Sequence, residues 1–236
     1  MSATNRLRRA RLAIKRGLDL GGAVASGVVL SPVILIVALA VLATQGRPVL
    51  FRQRRPGLHG RIFTINKFRT MRLVRPGEVY YLTDEERLTR LGRFLRRSSL
   101  DELPELWNVL RGDMSIVGPR PLLTEYLTEY TPEEARRHDM RPGITGWAVV
   151  NGRNVLMFRD RLKLDVWYVD HWSLRLDARI VAMTLWQVIR RRNASTTEDL
   201  ALGFPLPGVG PDGRVLASDP AGRSSEGGRT DRTTPA

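Results

Sequence analysis

Two adjacent carboxylates, Asp101 and Glu102, are the residues of this 236-residue chain whose type and spacing most directly suggest chemistry. They follow Arg96 and Arg97 and precede Pro104, a residue that fits only the first turn of a helix. The N-terminus of a helix binds phosphate, and it also favours an ionised carboxylate. Such a carboxylate can act as a nucleophile toward phosphorus or as a ligand for Mg²⁺, which prefers carboxylates together with substrate phosphates.

A structural interpretation of the same pair stays open. Ser99 and Glu102 stand three residues apart, which is the spacing of a capping box at the start of a helix. Acidic residues in a first turn are also stabilised by the helix dipole. Judged by spacing alone, this is the commoner reason for an acidic pair at such a position.

Basic residues in three other motifs are candidate ligands for a phosphate. Arg120 lies between two prolines that limit its backbone freedom, which suits bidentate recognition of phosphate. Lys67 and Arg69 belong to the motif KFRTM and are either phosphate ligands or part of a membrane-facing surface. Arg153 ends a glycine-rich stretch over residues 141–154 and could bind the same anion. For each of them a solvated surface position is the plainer alternative.

The charge of the chain predicts an anionic partner. The formal net charge is +14, and residues 1–16 and 47–75 supply all of this excess, because they contain basic residues and no acidic one. Nucleic acid, a membrane surface and a phosphate-bearing substrate are the partners that such a charge favours. The absence of cysteine excludes thiol catalysis, disulfides and cysteine-ligated metals. The three histidines show no zinc-ligand spacing.

Residues 20–46 form an uncharged, largely apolar run that is long enough to span a bilayer. Both flanks are basic, and basic flanks favour the cytoplasmic side. Ser31 and Pro32 interrupt the run, and its halves would be only about 18 and 22 Å long as helices. We therefore expect a re-entrant helix–break–helix with both ends cytoplasmic, and Lys15 and Arg16 at the interface with lipid phosphates. A kinked single-pass anchor is the alternative.

The remaining patterns predict a mainly α fold with a few short strands and a compact cytoplasmic catalytic domain. Tryptophans among arginines after residue 158 fit interfacial amphipathic helices, although core aromatics are the commoner case. The predicted elements are a hairpin within residues 47–75, helices over 84–97, 99–112 and 122–138, and a helical region over 158–192 broken around 171–177. The predicted segments are a basic start (1–16), a re-entrant helix (17–46), a catalytic domain (47–203) and a disordered tail (204–236).

Several motifs together resemble the bacterial sugar transferase family. The matching segments are KRGLDL (15–20), the Ser-Pro pair (31–32), RQRRPG (52–57), KFRTM (67–71), RRSSLDELPELWNVLRGDMSIVGPRP (96–121) and RPGITGWAVVNGRN (141–154). The resemblance covers residues 15–192. Within the family, the chain more specifically resembles the small monotopic phosphoglycosyl transferases that prime undecaprenyl phosphate. It looks closest to the bacillosamine-type members.

This resemblance implies a reaction and a place for it. A sugar-1-phosphate would pass from a UDP-sugar to a polyprenyl phosphate, with release of UMP, at the bacterial inner membrane. The family's nucleophile maps onto Asp101, and its Mg²⁺ ligand maps onto Glu102. Its conserved basic positions map onto Lys67, Arg96 and Arg120, and its helix break maps onto the Ser-Pro pair.

The donor sugar, the glycan pathway and the oligomeric state are not fixed by the sequence. The family commonly has Gln where this chain has Val149, so donor preference is open, and a homodimer is compatible with the pattern. Two other functions are compatible with parts of the pattern. A membrane-tethered nucleic-acid-binding protein lacks a known binding motif, and we expect no nucleic-acid partner. A non-catalytic scaffold would not need the intact Asp-Glu pair.

Overall fold

The computed structural model describes residues 3–74, 84–152 and 157–189, and within these ranges the protein is mostly helical. The predicted tail and Arg153 lie outside the described residues. The helices are α1 (Ala3–Val29), α2 (Ser31–Gln45), α3 (Asp84–Arg87), α4 (Arg90–Ser98), α5 (Glu105–Arg111), α6 (Pro132–Ala135), α7 (Trp147–Val150), α8 (Phe158–His171) and α9 (Leu174–Ile189). The strands are β1 (Leu50–Pro56), β2 (Ile62–Phe68), β3 (Ser115–Val117) and β4 (Gly143–Thr145).

Helices α1 and α2 form the bent pair that the Ser-Pro motif predicts. The two helices meet at Leu30 with a bend of 64°. Pro32 lies in the first turn of α2, where its missing N–H costs no helical hydrogen bond. The Ser31 hydroxyl donates to the Val28 carbonyl at 2.8 Å and so closes the last turn of α1. Among the described residues no single helix is long and apolar enough to cross a membrane, and this bent pair passes that test only as a unit.

Helix α1 begins much earlier than the apolar run. It includes most of the basic segment, because one face of the helix packs inside the protein. Lys15, Asp19 and Ala23 recur every four residues, share that face and are buried. The face packs against α5 and β3. The start of the chain is thus a polar helix docked onto the rest of the fold.

The predicted hairpin is confirmed as an antiparallel pair of strands, β1 and β2. The register runs from Leu50 opposite Phe68 to Pro56 opposite Ile62. Ile65 and Phe68 on β2 are buried, and they pack against α5 and α2, respectively. Lys67 lies two residues after Ile65 and so shares its face of the strand, opposite to the face of the neighbouring Phe68.

A parallel pair, β3 and β4, forms the second small sheet, with Ser115 opposite Gly143. The backbones approach so closely here that a Cβ at Gly143 would lie 2.1 Å from the Gly118 nitrogen. A Cβ at Gly146 would lie 2.1 Å from the Gly118 oxygen. The glycines of this stretch therefore serve backbone packing between the two strands.

Two predicted helices are broken in the structure. The helix expected over residues 84–97 divides into α3 and α4, because Thr89 caps α4 by accepting a hydrogen bond from the Gly92 N–H at 2.9 Å. The helix expected over residues 122–138 is wrong. The segment instead forms a 3₁₀ turn at Thr124–Thr128, the short α6, and a second 3₁₀ turn at Arg136–Asp139. A new helix begins at Pro132, because Thr131 caps it and proline fits only a first turn.

The expected break near residue 172 is confirmed between α8 and α9. The aromatic residues of these helices divide between the core and the surface. Tyr168 is buried in a hydrophobic cluster with Ile180, whereas Trp167 and Trp186 are exposed. The core interpretation is confirmed for Tyr168, and the interfacial interpretation of the exposed tryptophans stays a prediction.

Candidate active site

The acidic pair lies in a 3₁₀ turn, Leu100–Glu102, between α4 and α5. Both carboxylates are buried, with Asp101 4% and Glu102 6% exposed. The capping box that spacing predicted is absent, because Ser99 has a left-handed backbone (φ 56°) and makes no side-chain capping hydrogen bond. Its backbone N–H instead closes the end of α4 on the carbonyls of Leu95 and Arg96. The structure thus removes the simplest structural reason for the acidic pair.

Glu102 is held by two cations on one oxygen. The Lys67 ammonium donates to its Oε1 at 3.0 Å, and the Arg120 Nη2 donates to the same atom at 2.9 Å. Lys67 comes from β2 and Arg120 from the segment after β3, so three separate parts of the chain meet at this carboxylate. Charge-assisted hydrogen bonds of this kind are short and strong, and they fix the Glu102 side chain in its buried position.

Glu105, at the start of α5, is a third carboxylate that the sequence analysis did not single out. It is 2% exposed, and its Oε1 lies 3.3 Å from the Lys67 Nζ without forming a hydrogen bond. Burial raises the pKa of Glu105 to about 8; Glu102 adds to the rise, and Lys67 and Arg120 oppose it. Its position three residues after Glu102 was the available signal, since residues three apart share one side of a helix.

A cavity of ≈ 210 Å³ opens beside the acidic pair. Asp101 and Glu105 line it, and Lys67, Arg96 and Arg120 face the same space. Its other wall is apolar, with Phe51, Phe68, Met71, Leu122 and Leu123 among the lining residues. Two carboxyl groups, several cations and apolar side chains therefore share one cavity.

Arg96 and Arg69 lie at this cavity but differ in their partners. Arg96 donates from Nε to the Thr70 hydroxyl at 3.1 Å. Arg69 is buried, and its guanidinium donates to the carbonyls of Gln45, of Gly46 at 2.8 Å and of Arg47 at 3.4 Å. Burial lowers the pKa of Arg69. The Arg69 guanidinium thus holds the chain that leaves α2, and its role in binding phosphate stays a prediction.

Lys15 and Arg16 do not lie at an exposed interface, contrary to the expectation. Lys15 is buried and donates to Asp177 on α9 at 2.7 Å and to the Val117 carbonyl at 2.9 Å. Arg16 donates to the carbonyl of Leu110 at 3.2 Å. Because α1 turns this face inward, both cations fasten the first helix to the fold.

The carboxylates of the site are compatible with Mg²⁺. Within the described parts of the chain, no group of three or more acidic, histidine or cysteine side chains is arranged to hold a metal ion. A magnesium ion needs only one or two carboxylates when substrate phosphates provide further oxygens. Glu102 and Asp101 are adjacent, and the nearby Glu105 Oε1 is a buried oxygen without a hydrogen-bond partner. These carboxylate oxygens fit a magnesium ion that binds together with a substrate phosphate.

Comparison with known proteins places the geometry in context. Residues 10–191 match the family model described as bacterial sugar transferase. The chain is 51% identical over 176 residues to the uncharacterized sugar transferase EpsL of Bacillus subtilis, covering 75% of this chain and 87% of the relative. It is 43% identical over 190 residues to the UDP-glucose:undecaprenyl-phosphate glucose-1-phosphate transferase of Caulobacter vibrioides, covering 76% of this chain and 71% of the relative.

Other relatives are longer. The chain is 38% identical over 197 residues to the Escherichia coli protein with the same name as the Caulobacter one, and this covers 79% of the chain but 41% of the relative. It also spans less than half the length of a galactosyl transferase of Streptococcus agalactiae, at 42%. The shared region is therefore the part that contains the acidic pair and its cations.

Proposed function

The chain belongs to the bacterial sugar transferase family, and from this membership and the geometry of the acidic pair we propose that it is a phosphoglycosyl transferase. It transfers a sugar-1-phosphate from a UDP-sugar to a polyprenyl phosphate and releases UMP. The observation that carries this proposal is the cavity in which Asp101 meets Lys67, Arg96 and Arg120. Both substrates are anionic, and this cluster of cations offsets the repulsion between them.

The reaction proceeds in two displacements at one phosphorus atom. The Asp101 carboxylate attacks the phosphorus that bears the sugar, the bond from that phosphorus to the bridging oxygen breaks, and UMP leaves with the bonding electrons. An oxygen of the polyprenyl phosphate then attacks the same phosphorus and releases the Asp101 carboxylate. A covalent intermediate allows a soluble donor and a lipid acceptor to use one small site in turn.

The neighbouring residues have distinct roles in this mechanism. Arg120 and Lys67, which already contact Glu102, stabilise the charge on the equatorial phosphate oxygens. Glu102 would hold Mg²⁺, which when bound would neutralise the diphosphate and polarise its oxygens. Glu105 keeps the Lys67 ammonium between two carboxylates.

The bent helix pair is the membrane anchor in this proposal. Large apolar side chains of α2, including Leu35, Ile36 and Leu39, are more than half exposed, which supports their burial in lipid. The 64° bend and the basic flanks support a re-entrant insertion from the cytoplasmic side of the bacterial inner membrane. The acceptor phosphate lies at headgroup level, where a monotopic enzyme can reach it.

The donor sugar is open between hexose and bacillosamine-type sugars. Named relatives are a glucose-1-phosphate transferase and an undecaprenyl-phosphate galactose phosphotransferase, whereas the motif resemblance looked closest to bacillosamine-type members. The full-length chain in nanodiscs should therefore be incubated with undecaprenyl phosphate and a panel of UDP-sugars. UMP release with at least one donor, and its loss in Asp101→Asn, is the expected result. Absence of UMP with every donor would reject the proposal.

A further inference from the structure

A buried ion pair behind the active site contacts the segment that carries Arg120. Arg137, in the 3₁₀ turn Arg136–Asp139, is 1% exposed, and Asp165 on α8 is 3% exposed. The Arg137 Nη2 and Nε both donate to the Asp165 Oδ2, at 2.6 and 3.2 Å. The remaining guanidinium nitrogen, Nη1, donates to the Tyr130 hydroxyl at 3.4 Å. The guanidinium is thus fixed on two sides by buried partners.

The same guanidinium also holds the backbone of an active-site residue. The Arg137 Nη2 donates to the carbonyl oxygen of Arg120 at 2.6 Å. The side chain of Arg120 donates to the Glu102 Oε1 at 2.9 Å. A continuous chain of contacts therefore runs from Asp165 through Arg137 and the Arg120 backbone to Glu102.

The sequence around Arg120 makes this carbonyl contact important. Pro119 and Pro121 lack backbone N–H groups, so the segment is anchored through its carbonyl oxygens. The Pro119 carbonyl accepts a hydrogen bond from the Gly143 N–H at 3.0 Å, and the next carbonyl is the one that Arg137 holds. Two hydrogen bonds to adjacent carbonyls, one from Gly143 on β4 and one from Arg137, therefore set the direction of this stiff segment.

We propose that Arg137, fixed by Asp165, is a positioning residue that aims the Arg120 guanidinium at Glu102 and at the phosphates of the donor. The part that concerns phosphates rests on the proposed function. An arginine is required because one planar guanidinium must donate to a carbonyl and a carboxylate together, which the single ammonium of lysine cannot reproduce with the same geometry. Asp165 fixes the orientation of the guanidinium and compensates its charge.

The neighbouring residue supplies a matched control. Arg136 precedes Arg137 in the chain but lies at the surface, where it pairs with Glu133 at 2.6 Å and with Asp170. It has the same side chain and also forms ion pairs, but its contacts with Glu133 and Asp170 do not involve the segment of Arg120. Arg136→Gln therefore removes an arginine from the same turn without changing the contacts of Arg137 with Asp165 and Arg120.

The kinetic test compares Arg137→Lys and Arg136→Gln in the full-length chain in nanodiscs. Arg137→Lys should lower kcat about tenfold or more with a smaller change in KM, while Arg136→Gln stays within about twofold of wild type. In an Arg120→Gln background, Arg137→Lys should cause little further loss, because residues that act through one another are not additive. Multiplicative losses, or an unchanged kcat, would overturn the positioning role.

A structural arm decides the same question without turnover. In a crystal structure of Arg137→Lys, the Arg120 Nη2 should move beyond about 3.5 Å from the Glu102 Oε1. If this variant does not fold, Asp165→Asn replaces it, since it keeps the size and an acceptor oxygen of the side chain. An unchanged Arg120–Glu102 contact would overturn the inference. An Arg137→Lys variant that keeps both wild-type activity and this contact would do so while leaving the proposed function standing.

Discussion

Glu102 is fixed before any substrate arrives, because Lys67 and Arg120 both donate to its Oε1. In the proposal, Asp101 is the nucleophile because it lines the cavity, where it can reach a phosphorus atom. Glu102 accepts hydrogen bonds from two cations, so it positions these cations and provides a ligand for a metal ion.

If Glu102 holds Mg²⁺, removing either the ion or the charge should stop turnover. We expect EDTA to abolish UMP release and added Mg²⁺ to restore it. Glu102→Gln keeps the volume of the side chain and should lower kcat/KM about a hundredfold. Full activity in EDTA would contradict the metal role, and circular dichroism of Glu102→Gln controls for folding.

Glu105 permits a pH-dependent test of stability. Its pKa is raised from 4.5 to about 8 in the folded protein, so its protonated form is stabilised and stability is lost as pH rises from about 4.5 to about 8. Glu105→Gln mimics the neutral form. The variant should match wild type near pH 5 and exceed it by about 1 kcal/mol or more near pH 8 in thermal unfolding.

The exposed Glu129 gives the control for this experiment, because Glu129→Gln changes the same atoms at the surface. Its effect on the free energy of unfolding should stay within about 0.5 kcal/mol across the range. A Glu105→Gln variant that is less stable than wild type at pH 8 would show that the Lys67–Glu105 contact outweighs the cost of burying this carboxylate.

At the scale of elements, the close parallel pairing of β3 and β4 sets the direction of the Arg120 segment. Gly143→Ala would place a Cβ 2.1 Å from the Gly118 nitrogen, and neither backbone can move aside. We expect this substitution to lower the free energy of unfolding by about 1–3 kcal/mol and to reduce activity, because the strand pair leads into the site.

Gly17→Ala is the matched control on α1. Nothing lies within 4 Å of a Cβ at Gly17, so alanine should leave stability unchanged or raise it by up to about 1 kcal/mol, as expected in a helix. Equal destabilisation by the two substitutions, measured by thermal unfolding, would show that close backbone approach is not what the glycine at 143 provides.

The sequence predicted those elements whose signals are local. The Ser-Pro break, the β1–β2 hairpin and the break between α8 and α9 follow from proline, turn residues and alternation, and all three are observed. The prediction of one helix over residues 122–138 is wrong, because a separate short helix begins at Pro132. The role of Lys15 was missed, since its partner Asp177 lies 162 residues away and no local pattern indicates such a contact.

The candidate site was predicted in part for the same reason. Asp101, Lys67, Arg96 and Arg120 meet at one cavity, as their chemistry suggested. Arg69 lines that cavity too, but its guanidinium is taken by the carbonyls after α2. Which cations face a ligand and which satisfy backbone carbonyls depends on packing between distant segments, and spacing along the chain does not contain that information.

At the scale of the whole molecule, α1 joins the apolar helix α2 to the rest of the fold. Its buried face ties it to α9 through the Lys15–Asp177 pair and to β3 through Asp19, which accepts from the Ser115 hydroxyl at 2.8 Å. Helix α2 continues from α1 after the bend. If α2 inserts into the membrane as proposed, its depth is thereby coupled to the position of the cavity.

The topology of the anchor is tested by the location of the two chain ends. Tags at residue 2 and residue 236 should both be accessible from the cytoplasm in intact-cell and inverted-vesicle labelling. Pro32→Ala removes the break and should shift a fraction of molecules toward a spanning orientation. Tags on opposite faces in the wild type would contradict a re-entrant insertion and favour the kinked single-pass anchor.

The central claim is that Asp101 is a covalent nucleophile, and it can be measured directly on the enzyme with donor alone. Intact-protein mass spectrometry of rapidly quenched enzyme, with a UDP-sugar that supports turnover and without polyprenyl phosphate, should show an added sugar-phosphate mass. Up to one UMP per active site should be released at the same time. Asp101→Asn should lack the adduct and lose at least about a thousandfold in activity. An unmodified wild-type mass, with donor consumed only when acceptor is present, would contradict the claim and indicate direct displacement.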